Sequence, residues 1–87
     1  MLGDMMSTEA KIRSYILENF LFTDVADAFA DSDSFLERGI IDSTGVLELI
    51  FFVEEQFGIK VADKEMVPEN FDSVDNIARF VQSKQAA

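Results

Sequence analysis

Apolar residues recur along most of this chain at the three-to-four-residue step of helices, not at the alternation of strands. Between Thr8 and Phe22, the residues Ile12, Tyr15, Ile16 and Phe20 keep near that step, with Ser7 or Thr8 placed to cap the start and Glu9 in the first turn. This predicts a helix over 8–22 with one face in the core. From Thr23 to Ile41 the period is lost in an Asp- and Ser-rich stretch. It still holds Phe29, Phe35, Leu36, Ile40 and Ile41, so a connection packed against the core is expected. Asp42-Ser43 opens the next periodic segment and Gly58 stops it after Phe57, which predicts a helix over 44–57. Asp63 is placed to cap a short turn through Met66, broken by Pro68 before Phe71. Ser73 caps a last helix in which Val74, Ile77, Ala78 and Val81 fall at i, i+3, i+4 and i+7, ending in the polar tail Gln82-Ser83-Lys84-Gln85. The expected fold is all-α, a small bundle of three main helices plus one short helix. Residues 1–7 are expected to be disordered, 8–84 to form one domain and 85–87 to be a tail.

The second helix has two distinct sectors. At about 100° per residue, Val46, Leu49, Ile50, Val53 and Phe57 gather in a core-facing stripe. Thr44, Leu47, Glu48, Phe51, Glu54 and Glu55 fall on the adjoining sector, where two apolar side chains are flanked by glutamates. Two readings stand: Leu47 and Phe51 widen the core stripe, or they are the short-range contacts of a transient docking face whose glutamates steer basic partners.

Composition narrows the function. With 87 residues and 48% hydrophobic residues the chain suits one core, and one Pro with four Gly argue against a turn-rich sandwich or barrel. No run approaches the roughly 18 apolar residues of a membrane span, and the first residues lack a basic flank and an apolar signal region, so a cytoplasmic protein is expected. No Cys is present for disulfide or thiol chemistry, and no His as general base or metal ligand. A formal net charge of −10 disfavours nucleic acid and anionic lipid, and favours partners rich in Lys and Arg.

Ser43 stands at the start of the second helix, with Asp42 before it, and both residue types are preferred caps. The same position offers a short hydroxyl beside unpaired backbone N–H groups and the positive helix end, a setting that favours a phosphate by ~0.3–1 kcal/mol. No His exists, and no Lys or Tyr lies nearby in sequence, to take the proton of Ser43, so another protein would have to catalyse any reaction there.

The run Phe35-Leu36-Glu37-Arg38-Gly39-Ile40-Ile41-Asp42-Ser43-Thr44-Gly45-Val46-Leu47-Glu48-Leu49-Ile50, continued by Val53-Glu54-Glu55-Gln56-Phe57-Gly58-Ile59, resembles the acyl carrier protein family. Helix order, the packed connection and the acidic balance extend the resemblance over roughly 8–82. It implies a stand-alone carrier, not an enzyme. Ser43 would accept 4′-phosphopantetheine from coenzyme A through a Mg²⁺-dependent phosphopantetheinyl transferase, with release of adenosine 3′,5′-bisphosphate. The arm's thiol would carry an acyl or aminoacyl group, loaded by an activating ligase and passed to downstream enzymes, and a monomer is expected. Asp42 would flank the attachment site and contact the transferase's metal. Thr44, Leu47, Glu48, Phe51, Glu54 and Glu55 would form the recognition surface. The sequence departs from the family's Asp-Ser-Leu signature at Thr44 and Gly45, which bears on which partners dock.

Two rivals come from other classes. A calcium loop beginning at Asp31 would need an oxygen ligand at Phe35, Gly at Leu36 and Glu at Asp42, and meets none of these requirements. An unmodified acidic helical interaction domain would share every feature except a need for Ser43.

Overall fold

The computed structural model describes residues 7–23 and 28–86. Ser7 caps α1 (Thr8–Ile16), its hydroxyl oxygen accepting from the Ala10 N–H at 3.0 Å, and Ile12 and Ile16 are buried. The backbone then widens into a π-turn, Leu17–Leu21, closed by Phe22 in the left-handed region (φ 53°), whose N–H reaches the Leu17 carbonyl. The expected single helix over 8–22 is thus corrected in its final turn. Five residues span about 140° around an α-helix and much less around the wider turn. That change brings Phe20 beside Tyr15, with ring centroids 5.9 Å apart and edge to face.

The connection is packed, with Phe29, Phe35 and Ile41 buried, yet it holds a helical turn where only a loop was expected. This turn, α2 (Phe35–Arg38), is capped by Ser34 and ended by Gly39 at φ 67°. It is held from a distance: the Asp72 carboxylate accepts from the Leu36 N–H (3.0 Å) and the Ser34 hydroxyl, and the Asp72 carbonyl from the Phe35 N–H (2.7 Å). One turn is too short to leave a helical period in the sequence. Residues 24–27 of the connection, residues 1–6 of the expected disordered segment, and Ala87 lie outside the described residues.

Helix α3 (Ser43–Phe57) begins one residue earlier than expected and ends at Gly58. A 3₁₀ turn, Asp63–Glu65, follows, with Ala62 and not Asp63 at its cap position. There the Glu65 carboxylate accepts from the Ala62 N–H at 2.8 Å. Pro68 does not break a helix but opens one, α4 (Pro68–Phe71). Its fixed φ and missing N–H suit a first helical position, and the preceding Val67 is extended (φ −124°, ψ 154°), as a residue before proline prefers. Ser73 caps α5 (Val74–Ala86), accepting from the Asn76 N–H at 3.1 Å. That helix continues through Gln82–Gln85, where a polar tail was expected. The polar side chains face outward while Lys84 reaches back to Glu65 at 2.9 Å.

Three substantial helices, α1, α3 and α5, therefore carry the all-α fold, and the short pieces number more than the one expected. The core is where their apolar faces meet: Ile12 and Ile16, then Leu49, Ile50 and Val53, then Val74, Ile77 and Val81, closed by Phe35 and Phe71 from the short helices. Each such side chain contributes roughly 1.5–3 kcal/mol by leaving water.

Candidate functional site

The first turn of α3 is organised by Asp42. Its backbone is extended, its carboxylate accepts from the Gly45 N–H at 2.8 Å, and its carbonyl accepts the first intrahelical bond, from the Val46 N–H, at 3.1 Å. Ser43 is the first helical residue and is exposed, and the N–H groups of Ser43 and Thr44 precede that first bond. The capping task thus falls to Asp42, leaving the hydroxyl of Ser43 outside it.

Ser43 borders a groove of about 280 Å³ whose walls come from α2 (Phe35, Leu36), α3 (Val46, Leu47, Ile50) and the segment Met66–Asp72. The groove is apolar apart from Ser43 and Asp72, and the Asp72 carboxylate is already held by Ser34 and Leu36. No lysine, tyrosine or histidine lines it, and its one carboxylate, Asp72, is engaged by Ser34 and Leu36 instead of Ser43.

The structure separates the two readings of the α3 sector. Leu47 is 54% exposed and Phe51 67%, so neither widens the core. The buried face consists of Gly45, Leu49, Ile50 and Val53, while Val46 and Phe57 of the expected stripe are half-buried. Thr44, Glu48 and Glu55 are exposed beside Leu47 and Phe51. Glu54 differs from its neighbours: it is half-buried and its carboxylate accepts from the Val61 N–H at 2.9 Å, tying the segment after α3 back to the helix. On the opposite edge Phe52 stacks on Tyr15, with centroids 3.9 Å apart and planes 13° from parallel. Burial, and secondarily the negative charge of Glu48, push the Tyr15 phenol above its ordinary value. It remains a neutral hydroxyl at neutral pH.

Asp31 and Asp33, which suggested a calcium loop, are paired with Arg13 (2.7 Å) and Arg38 (2.6 Å). Among the described residues, no group of three or more acidic residues is placed to hold a metal ion.

Sequence reasoning missed Leu36 and Met66, exposed apolar residues at the groove, and the role of Gly45. A Cβ built on Gly45 would lie 2.9 Å from Ile41 Cγ2 and 2.9 Å from Phe20 Cε1. Glycine inside a helix costs about 1 kcal/mol relative to alanine, and that cost was the available signal that space mattered there. Nothing local could point to the groove, because its walls come from segments distant in sequence.

Comparison with models of protein families yields no match. The chain is similar to curated proteins named D-alanyl carrier protein. One from Streptococcus uberis is 35% identical over 82 residues, covering 94% of this chain and all of the relative. One from Streptococcus pyogenes serotype M1 is 33% identical over 78 residues, covering 87% of this chain and 98% of the relative. Among solved structures, a chain from the crystal structure of an FAD-dependent dehydrogenase superposes with a TM-score of 0.67 at 27% identity, covering 80% of this chain and 97% of that one.

Proposed function

This chain belongs to the acyl carrier protein family, and from that premise we propose that it carries an aminoacyl group as a thioester on a 4′-phosphopantetheine arm attached to Ser43. It is a carrier and not itself a catalyst. The observation that carries the attachment site is the exposed Ser43 hydroxyl at the start of α3, released from capping by Asp42 and opening onto an apolar groove. The aminoacyl cargo is supported by the name its curated relatives share, with D-alanyl the first to test.

The residues present fit the arm. A phosphodiester on Ser43 would be held at the positive end of a fifteen-residue helix by the N–H groups of Ser43 and Thr44. When attached, the group supplies the thiol that this Cys-free chain lacks. In the attachment the Ser43 Oγ–P bond forms as the P–O bond of the coenzyme A pyrophosphate breaks, adenosine 3′,5′-bisphosphate leaves, and the hydroxyl proton passes to the transferase. The chain's own part is to present the oxygen, since no lysine, tyrosine or histidine lines the groove beside it. One carboxylate oxygen of Asp42 holds Gly45, and the other is left to approach the transferase's Mg²⁺.

Thr44, Leu47, Glu48, Phe51 and Glu55 form the surface offered to the transferase, the aminoacyl-activating ligase and the enzymes downstream. Leu47 and Phe51 make the contact and the glutamates attract basic residues. Glu54 takes part mainly by holding Val61. No helix among the described residues is long and apolar enough to cross a membrane.

The test is intact mass after incubation with coenzyme A, Mg²⁺ and a phosphopantetheinyl transferase, with Ser43→Ala as control. One added phosphopantetheine on the wild type and none on the variant is expected. If folded, initially unmodified wild type gains nothing with several transferases, the carrier reading gives way to an unmodified acidic interaction domain.

A further inference from the structure

We propose that Phe20 and Gly45 form a size-matched contact that positions Ser43 for modification, an inference that rests on Ser43 being the attachment site. Gly45 is buried against Phe20 and Ile41, whereas Ser43, two residues earlier and about 200° away around the helix, is exposed. A methyl group added at Gly45 would therefore lie inside the domain, off the surface that a modifying enzyme touches.

The two residues meet because of the π-turn. It swings Phe20 toward α3, where its ring edge packs beside Tyr15, which itself stacks on Phe52 of α3. The ring thus arrives at the first turn of α3 on a braced aromatic stack. There is no room for a methyl group: a Cβ at residue 45 meets Phe20 Cε1 and Ile41 Cγ2 at 2.9 Å and Asp42 Oδ1 at 3.4 Å. Contacts under 3 Å must be relieved by movement. Ile41 is buried next to Asp42, and the residue that would be pushed is the one whose N–H holds the Asp42 carboxylate. Displacing Gly45 therefore moves the cap and, with it, the turn that carries Ser43. Gly45 and Phe20 are positioning residues, acting through the helix start and not on the reacting atoms.

The experiment measures kcat and KM for phosphopantetheine transfer to wild type, Gly45→Ala, Phe20→Leu and the double variant, with circular dichroism and melting temperature for each. For Gly45→Ala, a fall in kcat of about tenfold with KM nearly unchanged is expected, since small misplacements of a reacting group cost rate while the docking residues stay in place. Phe20→Leu removes one of the two side chains that the new methyl would meet at 2.9 Å, Ile41 being the other, so the double variant should recover part of the lost kcat, a compensation expected of residues that are coupled and not of independent ones. Partial unfolding would instead raise the apparent KM and leave kcat alone, and that result would overturn the proposal. So would a folded Gly45→Ala modified at the wild-type rate, or a double variant as slow as the single. Should Gly45→Ala fail to fold, amide hydrogen exchange on Phe20→Leu decides: faster exchange at Gly45 with lowered kcat supports the contact, and neither change refutes it. If wild type itself gains no phosphopantetheine, the Ser43 reading has failed; if it does and the variants match it, only this inference has.

Discussion

At the residue scale, Asp42 and Ser43 divide tasks that either could have taken. Both types cap helices, and their order in the chain left open which did so; the structure assigns the cap to Asp42 through the Gly45 N–H and leaves the Ser43 hydroxyl exposed. Asp42→Ala should therefore cost about 1 kcal/mol, the usual loss for an N-cap. In a domain this small that corresponds to a fall of roughly 4–8 °C in melting temperature. Ser43→Ala should leave the melting temperature nearly unchanged while abolishing the mass gain. A large loss of stability in Ser43→Ala with little in Asp42→Ala would mean that the cap had been assigned to the wrong side chain. The place of Ser43 at the start of α3 was legible in the sequence. Gly45 was not, because half of its constraint, shared with nearby Ile41, is the Phe20 ring, twenty-five positions earlier in the chain and turned inward by a change of helical pitch.

At the element scale, the long helices were legible because each buries a stripe that repeats over several turns, as Leu49, Ile50 and Val53 do on α3. The short pieces were not, since a single turn has no period and is held by partners elsewhere: α2 by Asp72, and the 3₁₀ turn in part by α5. That last tie should depend on pH. A hydrogen bond from Lys84, then one from the Ala62 N–H, hold the Glu65 carboxyl below its ordinary value. A carboxylate with a depressed folded-state pKa stabilises the fold above the unfolded-state value and loses that contribution as pH falls through the folded-state value. Lys84→Met removes the leading cause. The melting temperature of wild type should thus exceed that of the variant at neutral pH, by a margin that shrinks on acidification through the carboxylate range. A margin that stays constant down to strongly acidic pH would show that the Glu65–Lys84 pair contributes nothing.

At the scale of the whole molecule, seventeen acidic residues against seven basic ones leave a charge of −10 on a small domain. Self-repulsion should soften it at low ionic strength, so the melting temperature should rise as NaCl increases from near zero to moderate concentration; a flat or falling trend would contradict this. The same charge predicts that partner affinity through Glu48 and Glu55 weakens with salt, so salt should act oppositely on stability and on docking. The sequence by itself determined the all-α class, the three long helices, the acidic character and the serine that matches the carrier signature, because periodicity, caps and composition are local and survive without a fold. Only the tertiary structure decided that Leu47 and Phe51 stand in solvent, that Glu54 is tied to Val61, that an apolar groove opens beside Ser43, and that Phe20 rests on Gly45. Each of those depends on which segments meet across the bundle, and such meetings join residues far apart in the chain, where no local pattern records them.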